Sequence, residues 1–174
     1  DLALLVVDGG FGFGNGRLLP AGPLREPLAA GLARVAAVVQ LGDDEVGLDG
    51  LLPRGMTRLR ARLRAGPDAP DLRDRRVVAF AGIGRPEKFF RTLADAGALL
   101  LARHAFADHH RYRRREVRAL LTEAAAKDAL CVTTAKDRVR LPADRRASIT
   151  ILPVTVSWQD PAALAHLLDH VPNG

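Results

Sequence analysis

Asp108-His109-His110 sets an acid beside two imidazoles, and a basic run from Arg111 to Arg115 follows directly behind them. An imidazole titrates near neutrality and can take the proton of an alcohol when an acid orients its ring. Asp108, or an acid from outside this chain, would be that orienting group. Zinc is not expected here. Adjacent histidines point to opposite sides of an extended segment, and no third ligand is spaced to help. Arg111 and its neighbours read either as a solvated face or as a basic patch for a phosphate-bearing partner.

A second set of candidates lies in the first 27 residues. The apolar run from Leu2 to Val7 closes in Asp8, and a glycine-rich, proline-rich loop follows as far as Pro27. Plain connectors between a strand and a helix run roughly two to six residues, so this loop is long enough to be functional. Gly12 and Gly14 are among five glycines between Gly9 and Gly16 that let the backbone approach a ligand closely. Asp8 either caps loop amides or faces phosphates and Mg²⁺, a hard cation that takes carboxylate oxygens. Asn15 either holds a left-handed turn or contacts substrate. Arg25 offers a fork that pairs two phosphate oxygens, and Glu26 either braces it or orients it. Lys136, at a helix start after a strand, is a further anion candidate.

Apolar strand-like runs, at Leu2–Val7, Ala36–Leu41, Val77–Ala81, Ala98–Ala102, Leu130–Thr133 and Ile149–Val156, would position these groups. Helical segments are expected at Pro23–Val35, Pro86–Ala96, Arg115–Lys127, Lys136–Leu141 and Pro161–His170, with Thr133 or Thr134 as a cap. Strand alternating with helix predicts a layered α/β fold with a largely parallel sheet. Within 43–70, Leu59, Ala61 and Leu63 alternate with arginines, which favours a strand in a ribbon or linker, although Met56, Leu59 and Leu63 also match helical spacing. The division expected is 1–42, 43–70 and 71–174. His104, His166 and His170 are read as structural.

The chain has 174 residues and a net charge of +6, with 48% apolar and only 5% aromatic side chains. One cysteine, Cys131, excludes an internal disulfide and reads as a buried strand residue in a cytosolic setting. No run approaches the ~18 uncharged apolar residues that span a bilayer. The positive balance suits a phosphate-bearing partner or an anionic membrane surface. A basic α/β module that binds nucleic acid without catalysis is the alternative. Scarce aromatics and the lack of a recognition-helix signature weigh against it, so no nucleic-acid partner is expected.

Four ordered stretches carry a resemblance: Gly12 to Pro27, Ala79 to Phe90, Phe106 to His110, and Val132 to Asp137. Together they resemble the tetraacyldisaccharide 4'-kinase family, whose members phosphorylate a membrane-bound disaccharide lipid of the lipid A pathway. The resemblance implies a three-layer fold like that of the P-loop kinases, with ATP and Mg²⁺ as cofactors. It implies transfer of the γ-phosphate to the 4'-hydroxyl of a tetraacyldisaccharide 1-phosphate, at the cytoplasmic face of the bacterial inner membrane. It also places at His109 a histidine that pairs with an aspartate from the ATP-binding half. The family's G-x-x-x-x-G-K-[ST] phosphate loop does not occur here, and the chain begins at Asp1 rather than Met. The expectation is therefore a C-terminal portion, with 1–42 ending the kinase core and little activity without the other half. Phe11, Ala107 and Ala135 depart from the family pattern, where arginine, proline and glutamate are expected; the first puts one phosphate contact in doubt.

Overall fold

The computed structural model of the chain describes residues 2–169. They group into two compact units, Asp1–Leu63 with Val156–Gly174, and Arg64–Thr155. The second unit is thus one continuous stretch set into the first. This grouping cuts across the expected 1–42, 43–70 and 71–174, because the chain beyond Val156 packs with the N-terminal strands.

In the first unit, β1 (Leu4–Asp8), β2 (Ala37–Leu41) and β3 (Arg58–Ala65) run parallel in that order. Neighbouring residues of the buried β2 face opposite ways. Val38 joins Val7, Phe13, Leu32 and Leu48 in one core, while Val39 joins Leu59, Ala61 and Trp158 in another. The alternation in β3 is as expected: Leu59 and Ala61 are buried and Arg60, Arg62 and Arg64 are exposed. β3 is a full member of the sheet, between β2 and the last strand.

The helix expected over 23–35 shrinks to α1 (Leu28–Leu32). Pro27 sits at φ −56°, ψ 134°, and the residue before a proline is disfavoured in helical geometry. Leu19 N–H donates to Leu24 O at 2.8 Å, which keeps this part of the chain in the loop.

The second unit has β4 (Arg76–Ala81), β5 (Leu99–Ala105), β6 (Leu130–Thr134) and β7 (Thr150–Leu152), in the order β5-β4-β6-β7 and all parallel. On one face, α2 (Pro86–Asp95) buries Phe89, Phe90 and Leu93 against Val77, Ala79 and Val132. On the other, α3 (Arg114–Ala126) buries Val117, Leu120 and Ala124 against Val78, Phe80 and Cys131. Helix, sheet and helix make the three layers expected. Pro86 opens α2, where its missing N–H costs nothing, and Gly97 at φ 85° follows its end.

The run expected as one strand over Ile149–Val156 is two. Pro153 has no N–H to give, and the chain passes from β7 in one sheet to β8 (Val154–Trp158) in the other. A four-residue helix, α4 (Ala135–Arg138), follows β6, and α5 (Pro161–Asp169) closes the described chain. His170 of the expected last helix lies outside the described residues. Among the described residues no helix is long and apolar enough to cross a membrane.

Candidate active site

Both units place their candidate residues at the C-terminal ends of parallel strands, the edge where such sheets bind ligands. In the first unit β1 delivers Asp8 to the glycine loop. One of its carboxylate oxygens accepts from Gly10 N–H at 3.0 Å, and its carbonyl accepts from Gly12 N–H at 2.7 Å. Gly12 and Gly14 take φ of 58° and 62°, a region open to glycine. A Cβ at Gly14 would also lie 2.6 Å from Pro23 Cγ.

Asn15 is engaged inside the loop at both ends of its amide. Its Nδ2 donates to Ala21 O at 2.8 Å and its Oδ1 accepts from Arg17 N–H at 3.1 Å. Glu26 pairs with Arg34 at 2.5 Å, so the brace read from sequence as Arg25–Glu26 is made by a different arginine. Arg25 is exposed, without a side-chain partner among the described residues. The acids of 43–49 turn on the arginines of β3: Asp49 lies 2.5 Å from Arg58, and Asp43 pairs with Arg62. Asp44 receives the amides of Val46, Gly47 and Leu48. The Leu48 bond first, then the others and Arg58, hold its carboxyl below the usual range.

In the second unit the chain leaves β5 and folds back over the ends of β4 and β6. Phe106 N–H donates to Ala81 O at 2.8 Å and His109 N–H to Gly82 O at 3.0 Å. His109 takes φ 59°, so the segment is turned here and not extended as the sequence suggests. Asp108 Oδ1 also accepts from His109 N–H at 3.0 Å, and Asp108 Oδ2 lies 3.6 Å from His109 Nε2. The His109 side chain is 79% exposed.

His110 is used differently. Its ring stacks on Phe106 with centroids 4.8 Å apart, and its Nε2 lies 3.1 Å from Glu116 Oε2. Glu116 also accepts from Arg113 N–H at 2.7 Å, capping α3. That bond first, and His110 after it, hold the Glu116 carboxyl below its ordinary value. His104 is structural as expected, 2.7 Å from Glu123.

Beneath this edge sits a carboxylate the sequence reading passed over as a functional group. Asp137 is fully buried, and its Oδ1 accepts from Gly82 N–H at 3.1 Å and from the Tyr112 hydroxyl at 3.0 Å. Its Oδ2 accepts from Thr134 Oγ1 at 2.7 Å, and Thr134 Oγ1 in turn accepts from Asp137 N–H. Thr134 is thus the cap expected at 133 or 134. Burial, and then the Asp137 charge, push the Tyr112 phenol far above its ordinary value. Arg140 joins the cluster, with Nη1 donating to Gly82 O at 2.8 Å.

Asp108 and His109 are therefore brought together, with Arg111 exposed two residues along the chain and Lys136 exposed on α4. Asp8, Gly12, Gly14, Asn15, Arg25 and Glu26 belong to the other unit. The sequence did carry a signal for Asp137. A threonine three residues ahead of an acid at a helix start is a reciprocal capping pair.

The sequence profile of the family described as tetraacyldisaccharide-1-P 4'-kinase matches residues 1–173. A tetraacyldisaccharide 4'-kinase of Paramagnetospirillum magneticum is 55% identical over 172 residues, 98% of this chain and 53% of the relative. The enzyme of that name from Rhodospirillum centenum is 57% identical over 169 residues, 97% of this chain and 50% of the relative. A crystal structure of LpxK from Aquifex aeolicus in complex with ATP superposes with a TM-score of 0.62 at 24% identity, over 97% of this chain and 51% of that one. The chain spans about half the length of the curated relatives it matches. With four motifs in family order and a profile match over nearly its whole length, the chain belongs to the tetraacyldisaccharide-1-P 4'-kinase family.

Proposed function

We propose that this chain serves, within a complete enzyme, to transfer the γ-phosphate of ATP to the 4'-hydroxyl of a tetraacyldisaccharide 1-phosphate. The observation that carries this reading is the Asp108–His109 pair, an exposed imidazole with an acid 3.6 Å from its Nε2, at the C-terminal edge of a parallel sheet in a chain of this family. His109 steers the acceptor hydroxyl and receives its proton on a ring nitrogen, while Asp108 orients the ring. The alcohol oxygen then bonds to the γ-phosphorus and ADP leaves with the bridging oxygen.

Phosphoryl transfer is largely positioning and charge neutralisation, and Mg²⁺ supplies the latter when bound. The cation takes one or two carboxylates and completes its shell with water and phosphate oxygens. Asp8 offers one such carboxylate at the mouth of the glycine loop; no cluster of three potential ligands occurs among the described residues. Gly12 and Gly14 allow the backbone to approach nucleotide phosphates, and Arg25 and Lys136 are exposed cations for phosphate groups. Asn15 and Glu26 act through the loop they brace. The arginines around Arg111 suit a peripheral position on the anionic cytoplasmic face of the inner membrane.

The test is phosphate transfer to the lipid disaccharide by a complete enzyme carrying this chain. His109→Ala should lower kcat by roughly 10²–10⁴-fold, the usual contribution of a general base. KM for ATP should stay in place. No transfer by the complete protein would remove the reading.

A further inference from the structure

We infer that Arg140, anchored by the buried carboxylate of Asp137, is the positioning residue of His109 and fixes which of its ring nitrogens carries the proton. The guanidinium forks. Its Nη1 donates to Gly82 O at 2.8 Å and lies 3.3 Å from Asp137 Oδ1, while its Nη2 lies 3.2 Å from His109 Nδ1. A guanidinium only donates, so the Nδ1 it meets is an acceptor and the ring proton sits on Nε2. Nε2 is the nitrogen that faces Asp108.

Two features set this contact apart from a passing surface encounter. The Arg140 side chain is only 17% exposed, whereas the His109 side chain it holds is 79% exposed. Gly82 is held on both sides, its N–H by Asp137 and its C=O by His109 N–H and Arg140. Asp137 therefore reaches His109 along two routes, through the backbone of Gly82 to its N–H and through Arg140 to its ring. A residue at φ 59° needs such straps, since a non-glycine residue is sparsely populated there.

Where His109 is the group that addresses the acceptor hydroxyl, as proposed above, the held lone pair on Nδ1 is the one that receives the hydroxyl proton. Arg140 Nη2 gives way as the alcohol arrives, and Nη1 keeps its hold on Gly82 and Asp137. A lysine cannot do this, because one ammonium replaces two nitrogens of fixed geometry.

The experiment compares wild type, Arg140→Ala, Arg140→Lys, His109→Ala and the Arg140→Ala/His109→Ala double variant of the complete enzyme. NMR of the His109 ring nitrogens is read beside kcat and KM for ATP. The expected result is an Nε2–H ring in wild type and mixed tautomers in both Arg140 variants. With it, kcat should fall by about 10–100-fold, the usual cost of losing an orienting outer partner. KM for ATP should hold, and the double variant should be no slower than His109→Ala alone. Unchanged ring resonances without Arg140, full activity with lysine, or additive losses in the double variant would each overturn the inference. An active His109→Ala enzyme with altered ring resonances in the Arg140 variants would support the positioning and remove the base assignment instead.

Discussion

The hydroxyl of Tyr112 donates to the carboxylate of Asp137 at 3.0 Å, although twenty-five residues separate them along the chain. Tyr112 stands in a run of arginines, yet it is the one member of that run that is buried, edge-on to Phe80 and Phe106. The pair ties the segment after β5 to α4, which follows β6, and so fixes the turn that displays His109.

Tyr112→Phe removes a hydrogen bond to a charged acceptor, which should cost about 1.5–3 kcal/mol. Asp137→Ala strips Gly82 N–H, Tyr112, Thr134 and Arg140 of their common acceptor. It should cost more, about 3–5 kcal/mol, because a buried charge network loses its centre. Urea unfolding of both variants checks the order; a larger loss from Tyr112→Phe would mean that ring packing, and not the carboxylate, organises this edge.

His110→Ala should cost stability through Phe106 and Glu116 and leave most of kcat, in contrast to His109→Ala. Steady-state kinetics on samples matched for folded fraction separate the two. Equal losses would place both imidazoles in the same role, contrary to their different partners.

The Glu116 carboxyl titrates below its unfolded value, chiefly through Arg113 N–H and then His110. Its contribution is therefore fully present above the unfolded carboxylate range and is lost as pH falls through the lowered value. Glu116→Gln keeps an acceptor for Arg113 N–H but removes the charge, so it should flatten that part of the stability profile. Thermal melts across the carboxylate range give the comparison, and parallel profiles for the two proteins would count against a carboxylate held in its charged form here.

Gly22→Ala should damage the glycine loop with little effect on the second unit. A Cβ there would lie 2.1 Å from Asn15 Oδ1 and 2.4 Å from Arg17 O, closer than atoms can pack. Asn15 would have to release Ala21 or Arg17. Proteolysis at the loop should quicken, while amide exchange in β4 to β6 stays slow. A loop that resists protease as well as wild type would show that the backbone can yield there.

Cys131 should be inert in the native protein. Burial, and then the charge of Glu123, push its thiol up to about 12, so almost no thiolate exists near pH 8. Alkylation followed by mass spectrometry should find it unmodified until denaturant is added; rapid labelling without denaturant would show that this edge of α3 opens readily.

Strands with long apolar runs were legible because burial on both faces leaves little room for other residue types, as in β2 and β4. The end of β7 was not, since only the three-dimensional path shows that Pro153 moves the chain between sheets. The helix over 23–35 was read too long because Leu24 and Leu28 satisfy helical spacing, while Pro27 and the Leu19–Leu24 bond decide against it. In the candidate site, Asp108 and His109 were visible as neighbours of suitable chemistry. Arg140 was not, because its meaning depends on a turn at His109 that no residue there announces. Glycine or asparagine would have marked a positive φ; histidine did not.

The nesting of one unit within the other bears on how the chain acquires its fold. Entry and exit of the second unit are stitched together where Gly66 N–H meets Pro153 O at 2.9 Å, and Gln159 N–H meets Arg60 O at 2.8 Å just inside the first. A long excursion between β3 and β8 would ordinarily make their pairing slow, since the ends of a disordered loop must find each other. Once the inserted unit has folded, its two ends already lie side by side, and the outer sheet meets them as it would a short turn. Prior folding of the inserted stretch would therefore remove most of the closure cost of pairing β3 with β8.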